Sequence, residues 1–227
     1  MTTENTDRTV RKFVFDFFLR ETFAPSIEEI LRGLGVARDE AYQALLRLES
    51  AHHLRLIDGT SRILMAFPFS AVSTPFRVVR GSGQRYFANC AWDAVAFHPM
   101  LREPVEVRSF CRHCGEPFRF LLESGGTASA GASSPIVFLS LPASKWWDDI
   151  VGTCSNTMMF FASRDHLEQW DDSVARARGV SLTLEQTVAI SQPLYARKME
   201  FDYVRPSQEA LESTFDSLGL SGPFWKF

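Results

Sequence analysis

Between Cys90 and Leu101 the chain reads Cys-Ala-Trp-Asp-Ala-Val-Ala-Phe-His-Pro-Met-Leu, an apolar run with a thiol and a carboxylate three positions apart at its start. The residues Ala91, Trp92, Ala94, Val95, Ala96 and Phe97 predict a buried helix. Burying it needs a sizeable core, and a chain of 227 residues with 45% hydrophobic content supplies one, as one large or two small domains. On a helix, Cys90 and Asp93 share a face. Asn89 is positioned to cap it, which places the thiol near a helix N-terminus, where thiolate is favoured. A soft thiolate captures a soft metal, and a carboxyl group beside it takes that thiol's proton and delivers it to another atom. The same residues also describe a packed cysteine in a helix capped by a solvated aspartate.

Charge and cysteine usage narrow the classes. A formal net charge of −3 argues against a general nucleic-acid binder, because phosphate binding needs a basic surface. No apolar stretch reaches membrane-spanning length, and Met1 to Arg8 lacks the basic segment and apolar core of a secretory signal, so a cytoplasmic location is expected. Four cysteines in such a chain read as free thiols, metal ligands or redox groups before structural disulfides.

The fold class expected is α+β, an N-terminal winged-helix-like helical module followed by a mixed α/β catalytic domain. Val10, Phe13, Val14, Phe17 and Phe18 follow helical spacing; Ser26 and Glu29 form a capping-box pattern and Gly35 ends that second helix. A third helix spans 38–50, and Leu54 to Ile57, the Asp58-Gly59 turn and Arg62 to Met65 make a β-hairpin. That order invites a DNA-binding reading, but Arg38 and Arg47 are offset by Asp39, Glu40 and Glu49 where a recognition helix is normally basic. Segments 67–70 and 73–75 read as connections. Beyond them come a hairpin at 77–87, the Cys90 helix, strands near 105–110, 118–122 and 136–141, a small-residue loop at 125–134, and helices at 164–170 and 184–191. The boundaries expected are 1–70 for the helical module, 71–197 for the catalytic part and 198–227 for a C-terminal extension with no assigned role.

Other chemistry-bearing residues each have a bland reading. Cys111-Arg112-His113-Cys114-Gly115 is a CxxC knuckle, half of a zinc site that needs Cys90 and Cys154, or histidines, to complete four ligands; its default is a packed cysteine with an accessory thiol. His98 reads as a core or boundary residue. Trp146 and Trp147 wall an apolar pocket or are simple packing, with Phe87 and Met158 as weaker pocket candidates. Asp148 and Asp149 compete with Asp93 as proton donors, although nothing in their spacing favours them.

The stretch from Tyr86 through Leu101 resembles the signature of the organomercurial (alkylmercury) lyases, in which an aromatic lead-in precedes Cys-Ala-x-Asp and an apolar run with Pro. Val105 to Cys111 followed by Gly115-Glu116-Pro117 is similar to that family's next strand with its structural cysteine and Gly-x-Pro turn. Cys154-Ser155-Asn156, leading to Met159-Phe160-Phe161-Ala162-Ser163 and Trp170, is similar to the segment that carries its second mercury-binding cysteine. The similarity runs from about Thr9 to about Ile190. It departs at Asn89, where an aromatic residue is expected, at the additional thiol Cys114, in the spacing from Cys154 to Phe160, and from Lys198 onward.

The resemblance implies Cys90, Asp93 and Cys154 as catalytic residues, with Cys90 and Cys154 holding the substrate mercury and Asp93 adjacent. It implies protonolysis of a carbon–mercury bond without an organic cofactor, with cytosolic thiols or a mercuric reductase accepting the product. It also implies that the N-terminal module covers the catalytic part. Three rival readings are a winged-helix metal-responsive regulator, a noncatalytic metal- or organometal-binding carrier, and cleavage of another carbon–heteroatom bond.

Overall fold

The computed structural model describes residues 2–123, 128–130 and 135–227. Helix α1 (Thr3–Glu21) buries Val10, Val14, Phe17 and Phe18 as expected and Phe15 besides, while Phe13 is only partly buried against the core. Helix α2 (Ile27–Leu34) opens in the Ser26–Glu29 capping box and closes on Gly35 at φ 66°, a left-handed conformation that glycine adopts at little cost. Helix α3 (Arg38–Ser50) packs through Ala41, Ala44, Leu45 and Leu48. Strands β1 (Arg55–Leu56) and β2 (Ile63–Ala66) pair antiparallel across a turn with Gly59 at φ 70°.

Residues 69–70 are not a connection. After the cis Phe67–Pro68 peptide the chain returns as β3 (Phe69–Ser70), paired with β2. A two-residue strand has no periodicity to read; tertiary packing holds it, since the fully buried Phe69 ring meets those of Phe15, Phe18, Tyr86 and Phe97. Next come β4 (Arg77–Arg80) and β5 (Arg85–Ala88), and β5 pairs with both β4 and β3. Helix α4 (Ala91–Leu101) is followed by β6 (Val105–Phe110), β7 (Pro117–Leu122) and β8 (Ala128–Ala130). The stretch 125–134, expected as a loop, thus contains a strand on β7; its remaining positions lie outside the described residues.

Among the described residues these strands form an antiparallel sheet in the order β1-β2-β3-β5-β4-β6-β7-β8, which continues across residue 70. A second sheet places β9 (Ile136–Leu139) at its centre. It is flanked by β10 (Met158–Phe161), which follows α5 (Ile150–Asn156), and by β11 (Val180–Leu182), which follows α6 (Arg164–Gln169) and α7 (Ser173–Arg178). Helices α8 (Leu184–Tyr195) and α9 (Gln208–Ser217) follow, and short 3-10 turns lie at Ala143–Lys145 and Pro223–Trp225.

The architecture is mixed α and β, with α4 as its central rod. Every residue from Ala91 to Met100 is buried, against α8 and β10 on one side and β4, β5 and β6 on the other. Burying Trp92, Val95, Phe97 and Met100 contributes roughly 1.5–3 kcal/mol each. His98, expected as a core or boundary residue, is buried, its Nδ1 lying 2.8 Å from the Glu103 carbonyl oxygen.

The last thirty residues are built into this body. The Arg11 guanidinium of α1, 1% exposed, donates to the carbonyls of Lys198 (2.7 Å), Phe201 (3.2 Å) and Glu200. The Tyr203 hydroxyl donates to the Leu194 carbonyl at 2.7 Å. Leu211, Phe215 and Trp225 are buried, and the Phe227 ring lies 5.7 Å from that of Trp146.

Candidate active site

The helix that carries Asp93 is capped by the candidate nucleophile itself. Cys90 is the N-cap of α4, with φ −151°, and its Sγ accepts the Asp93 N–H at 3.3 Å. Asn89, expected in that role, is engaged elsewhere: its Nδ2 donates to the Pro68 carbonyl and to Asp93 Oδ2, both at 3.1 Å. Position 89 therefore ties the carboxylate to the turn before β3, which suits an amide side chain where an aromatic was expected.

Cys154 reaches the same place from α5. That helix is capped by Asp149, which accepts the Gly152 N–H at 3.0 Å, while Asp148 pairs with Lys145 at 3.1 Å. Neither aspartate competes with Asp93. One ligand atom each from Cys90, Asp93 and Cys154 lie within 4.8 Å of one another, and all three residues are buried. Met158 Sδ accepts from the Cys90 thiol at 3.7 Å, and the Tyr195 hydroxyl donates to Asp93 Oδ1 at 2.7 Å. The Trp92 indole N–H donates to Ser191 at 2.7 Å, which registers α4 against α8.

These groups open onto a narrow cavity of about 60 Å³ walled by Trp146, Trp147, Ile150, Leu194 and Phe227. Both tryptophans of the 146–147 pair and Met158 thus take the pocket role. Phe87 does not: it lies under the Arg77 guanidinium at 5.7 Å. His52 stacks on Trp147 at 3.7 Å, and Arg205 stands 5.0 Å from the same ring. Lys198, 3% exposed, sits 5.1 Å from the Tyr195 ring and 5.6 Å from that of Phe15.

Burial dominates the electrostatics. It pushes the Cys90 thiol well above its ordinary value, and the neighbouring Cys154 and Asp93 add to that. Cys154 is favoured as thiolate by its hydrogen bond to Cys90, but burial and the Asp93 charge leave it raised overall. The helix N-terminus acts in the expected sense, since the Asp93 N–H favours the Cys90 thiolate, but burial outweighs it, because a partial charge at one helix end does not offset removal of the anion from water. Burial raises Asp93 too, against hydrogen bonds from Tyr195 and Asn89 and the charge of Lys198. Burial also brings Lys198 down to about 7, helped by the charges of Arg205 and Arg11 and opposed by Asp93.

Sequence reasoning missed Tyr195 and Lys198. Tyr195 is 102 positions from Asp93, and Lys198 stands where the expected extension begins, so no local spacing ties either to the thiols. Cys111 and Cys114 lie apart from this cavity, Cys111 in a smaller core with Ile136, Phe138, Met159 and Phe161, and Cys114 exposed.

The family model for alkylmercury lyase, MerB, matches residues 69–196, more than half of the chain. This chain belongs to the alkylmercury lyase family. Alkylmercury lyases of Bacillus cereus and Clostridium butyricum are each 26% identical over 147 residues, 65% of this chain and 64% of theirs. That of Staphylococcus epidermidis is 25% identical over 63% of both chains. The match thus spans just under two thirds of the curated alkylmercury lyases' length. The crystal structure of the mercury-bound form of MerB2 superposes with a TM-score of 0.66 at 20% identity, covering 86% of this chain and 90% of that one, and shows the shared fold. The alkylmercury lyase match takes in Cys90, Asp93, Cys154 and Tyr195 but not α1 to α3 or Lys198.

Proposed function

We propose that this chain is an organomercurial lyase that cleaves a carbon–mercury bond by protonolysis, with Cys90, Asp93 and Cys154 as its catalytic residues. The observation that carries the proposal is the convergence of two buried thiols and one buried carboxyl group within 4.8 Å. A permanently ionised cluster of that kind is too costly to bury, whereas one that releases its protons as a soft cation arrives is not. Mercury is the soft cation that two thiolates favour.

The Cys90 sulfur bonds to the metal of an R–Hg–X substrate, and its proton leaves with X as HX. Cys154 then bonds to the same mercury and passes its proton to Asp93, which increases electron donation into the metal and polarises the mercury–carbon bond. Asp93 delivers that proton to the carbon, so the bond breaks with its electron pair on carbon, R–H departs, and Hg(II) stays on the two sulfurs. Tyr195 and Asn89 hold one carboxylate oxygen each, which orients Asp93 and supports its anionic form between transfers. The tryptophans, Phe227 and Ile150 give the organic group a dry wall.

Cytosolic thiols or a mercuric reductase take the metal from the product, in a cytoplasmic setting. No helix among the described residues is long and apolar enough to cross a membrane. Residues 1–70, in winged-helix order, act as a cover over the catalytic part at 71–197, and 198–227 close the cavity. Ion pairing supports a cover rather than a DNA reader, because Arg47 is engaged by Asp7 at 2.7 Å and Arg38 by Glu28 at 2.8 Å.

The test is to incubate the purified protein with phenylmercury and excess thiol and measure benzene. Release well above a protein-free control is expected; release at the control rate, with mercury retained on the protein, would favour the noncatalytic carrier.

A further inference from the structure

The CxxC knuckle reads from the sequence as half a metal site, and the fold brings a third donor to it. His166, on the first turn of α6, places its Nδ1 3.4 Å from Cys111 Sγ and 3.6 Å from Cys114 Sγ, although it is 55 and 52 positions away from them. A single ring nitrogen has one lone pair or one proton and satisfies one strong hydrogen bond. Two sulfurs converging on it are better described as corners of a polyhedron around a common centre. A tetrahedral zinc ion with Zn–S about 2.3 Å and Zn–N about 2.0–2.1 Å sets its sulfur-to-nitrogen edge at about 3.6 Å. Both observed separations match that edge.

The surroundings are those of a ligand turn. Gly115 takes φ 75° and donates its N–H to the Cys111 carbonyl at 2.9 Å, which folds the knuckle tightly. The Ala162 N–H donates to Cys111 Sγ at 3.4 Å, and Ser163 caps α6 by accepting the His166 N–H at 3.2 Å, which holds the histidine's backbone in place. Cys114 is exposed, so an ion has a path in from solvent. His113, in the same turn, has its ring centroid 5.5 Å from that of His166.

We propose that Cys111, Cys114 and His166 bind a zinc ion that staples the turn between β6 and β7 to the start of α6. The two sheets meet here: the Arg112 N–H already donates to the Phe160 carbonyl of β10 at 2.9 Å, and an ion adds a bond between the eight-stranded sheet and the layer that carries β10. The site is separate from the Cys90, Asp93 and Cys154 cluster and does not depend on the lyase reading.

Metal analysis of the full chain, purified without chelator and dialysed against zinc-free buffer, tests the proposal. One equivalent of zinc per chain is expected. Cys114→Ser and His166→Ala should each retain less than a tenth of it, while Cys90→Ser and Cys154→Ser keep it. Cobalt(II) added to the chelator-stripped protein should give a thiolate-to-cobalt charge-transfer absorption that Cys114→Ser lacks; Cys114 is exposed, so this variant folds, as circular dichroism will check. Wild-type protein that fails to take up zinc or cobalt when reduced, or a Cys114→Ser protein with a full equivalent, overturns the proposal. So does isolation without reductant as a Cys111–Cys114 disulfide that, once reduced, takes up no zinc, which would mark a redox pair.

Discussion

The Tyr195 hydroxyl donates a 2.7 Å hydrogen bond to Asp93 Oδ1 across 102 positions of sequence. The contact joins the end of α8 to the first turn of α4 and fixes the carboxyl group relative to two thiols. A hydrogen bond to a charged group contributes about 1.5–3 kcal/mol, so the proton-delivering residue is held by a partner that never touches mercury in the proposed reaction. Tyr195→Phe keeps the ring and removes the bond. Benzene release should fall about tenfold or more with mercury affinity intact, whereas unchanged turnover would show that Asp93 needs no such orientation.

Asp93→Ala should leave mercury capture largely intact and slow hydrocarbon release by about 10²–10⁴, the usual range for loss of a general acid. Single-turnover measurement of benzene alongside metal retention separates the two. Comparable rates for variant and wild type would remove Asp93 from the mechanism.

Cys90→Ser and Cys154→Ser should each abolish turnover, because a hydroxyl is a hard, weakly acidic ligand. Cys114→Ser should retain most of it, and Cys111→Ser should act mainly through stability, since Cys111 is packed in the smaller core. Loss of benzene release in folded Cys114→Ser would draw that thiol into the reaction.

The two active-site thiols also give an alkaline signature. Both are raised in the folded protein, so their contribution to stability is complete below the ordinary thiol value and declines as pH climbs above it and the unfolded chain loses those protons first. Each thiol accounts for a decline of up to about 1.4 kcal/mol per pH unit. Lys198, held down to about 7, acts with the opposite sign between there and the ordinary lysine value, a window that overlaps the onset of the thiol decline, because the unfolded chain then binds the extra proton. Comparing wild type with the Cys90→Ser, Cys154→Ser double variant cancels the lysine. Urea midpoints should fall more steeply with pH in wild type, and parallel slopes would contradict the buried-thiol assignment.

Removing residues up to Ser70 should expose Cys90 to alkylation and destabilise the remainder. It strips β3 from the edge of β5, takes away the Pro68 carbonyl that Asn89 uses, and deletes the buried Phe69 ring. The intact chain should not bind duplex DNA with useful affinity, because the α3 arginines are already paired with carboxylates. Salt-sensitive submicromolar binding would promote the regulator.

Much of the protein was legible in the chain because it is written in short-range chemistry. The apolar spacing of α1, the Ser26–Glu29 capping box, the Gly35 stop, the hairpin around Asp58-Gly59 and the buried character of α4 each depend on residues within a few positions of one another. The Cys90 and Asp93 pairing at the start of a helix is of the same kind, and so is the balanced charge of α3.

Tertiary structure alone decided the rest. Whether Cys90 is a thiol or a thiolate depends on how completely the fold excludes water from it, a sum over α5, α8, β10 and the C-terminal segment that no window of sequence contains. The strand at Phe69–Ser70 exists because aromatic rings from α1, α4 and β5 close around it. Tyr195 reaches Asp93, Phe227 reaches Trp146, and His166 reaches Cys111 only when sheets and helices far apart in sequence are packed. Local spacing determines which residues share a helix face or a turn; which faces then meet is set by the burial of the whole apolar surface, and the partners of both cysteine clusters were decided at that level.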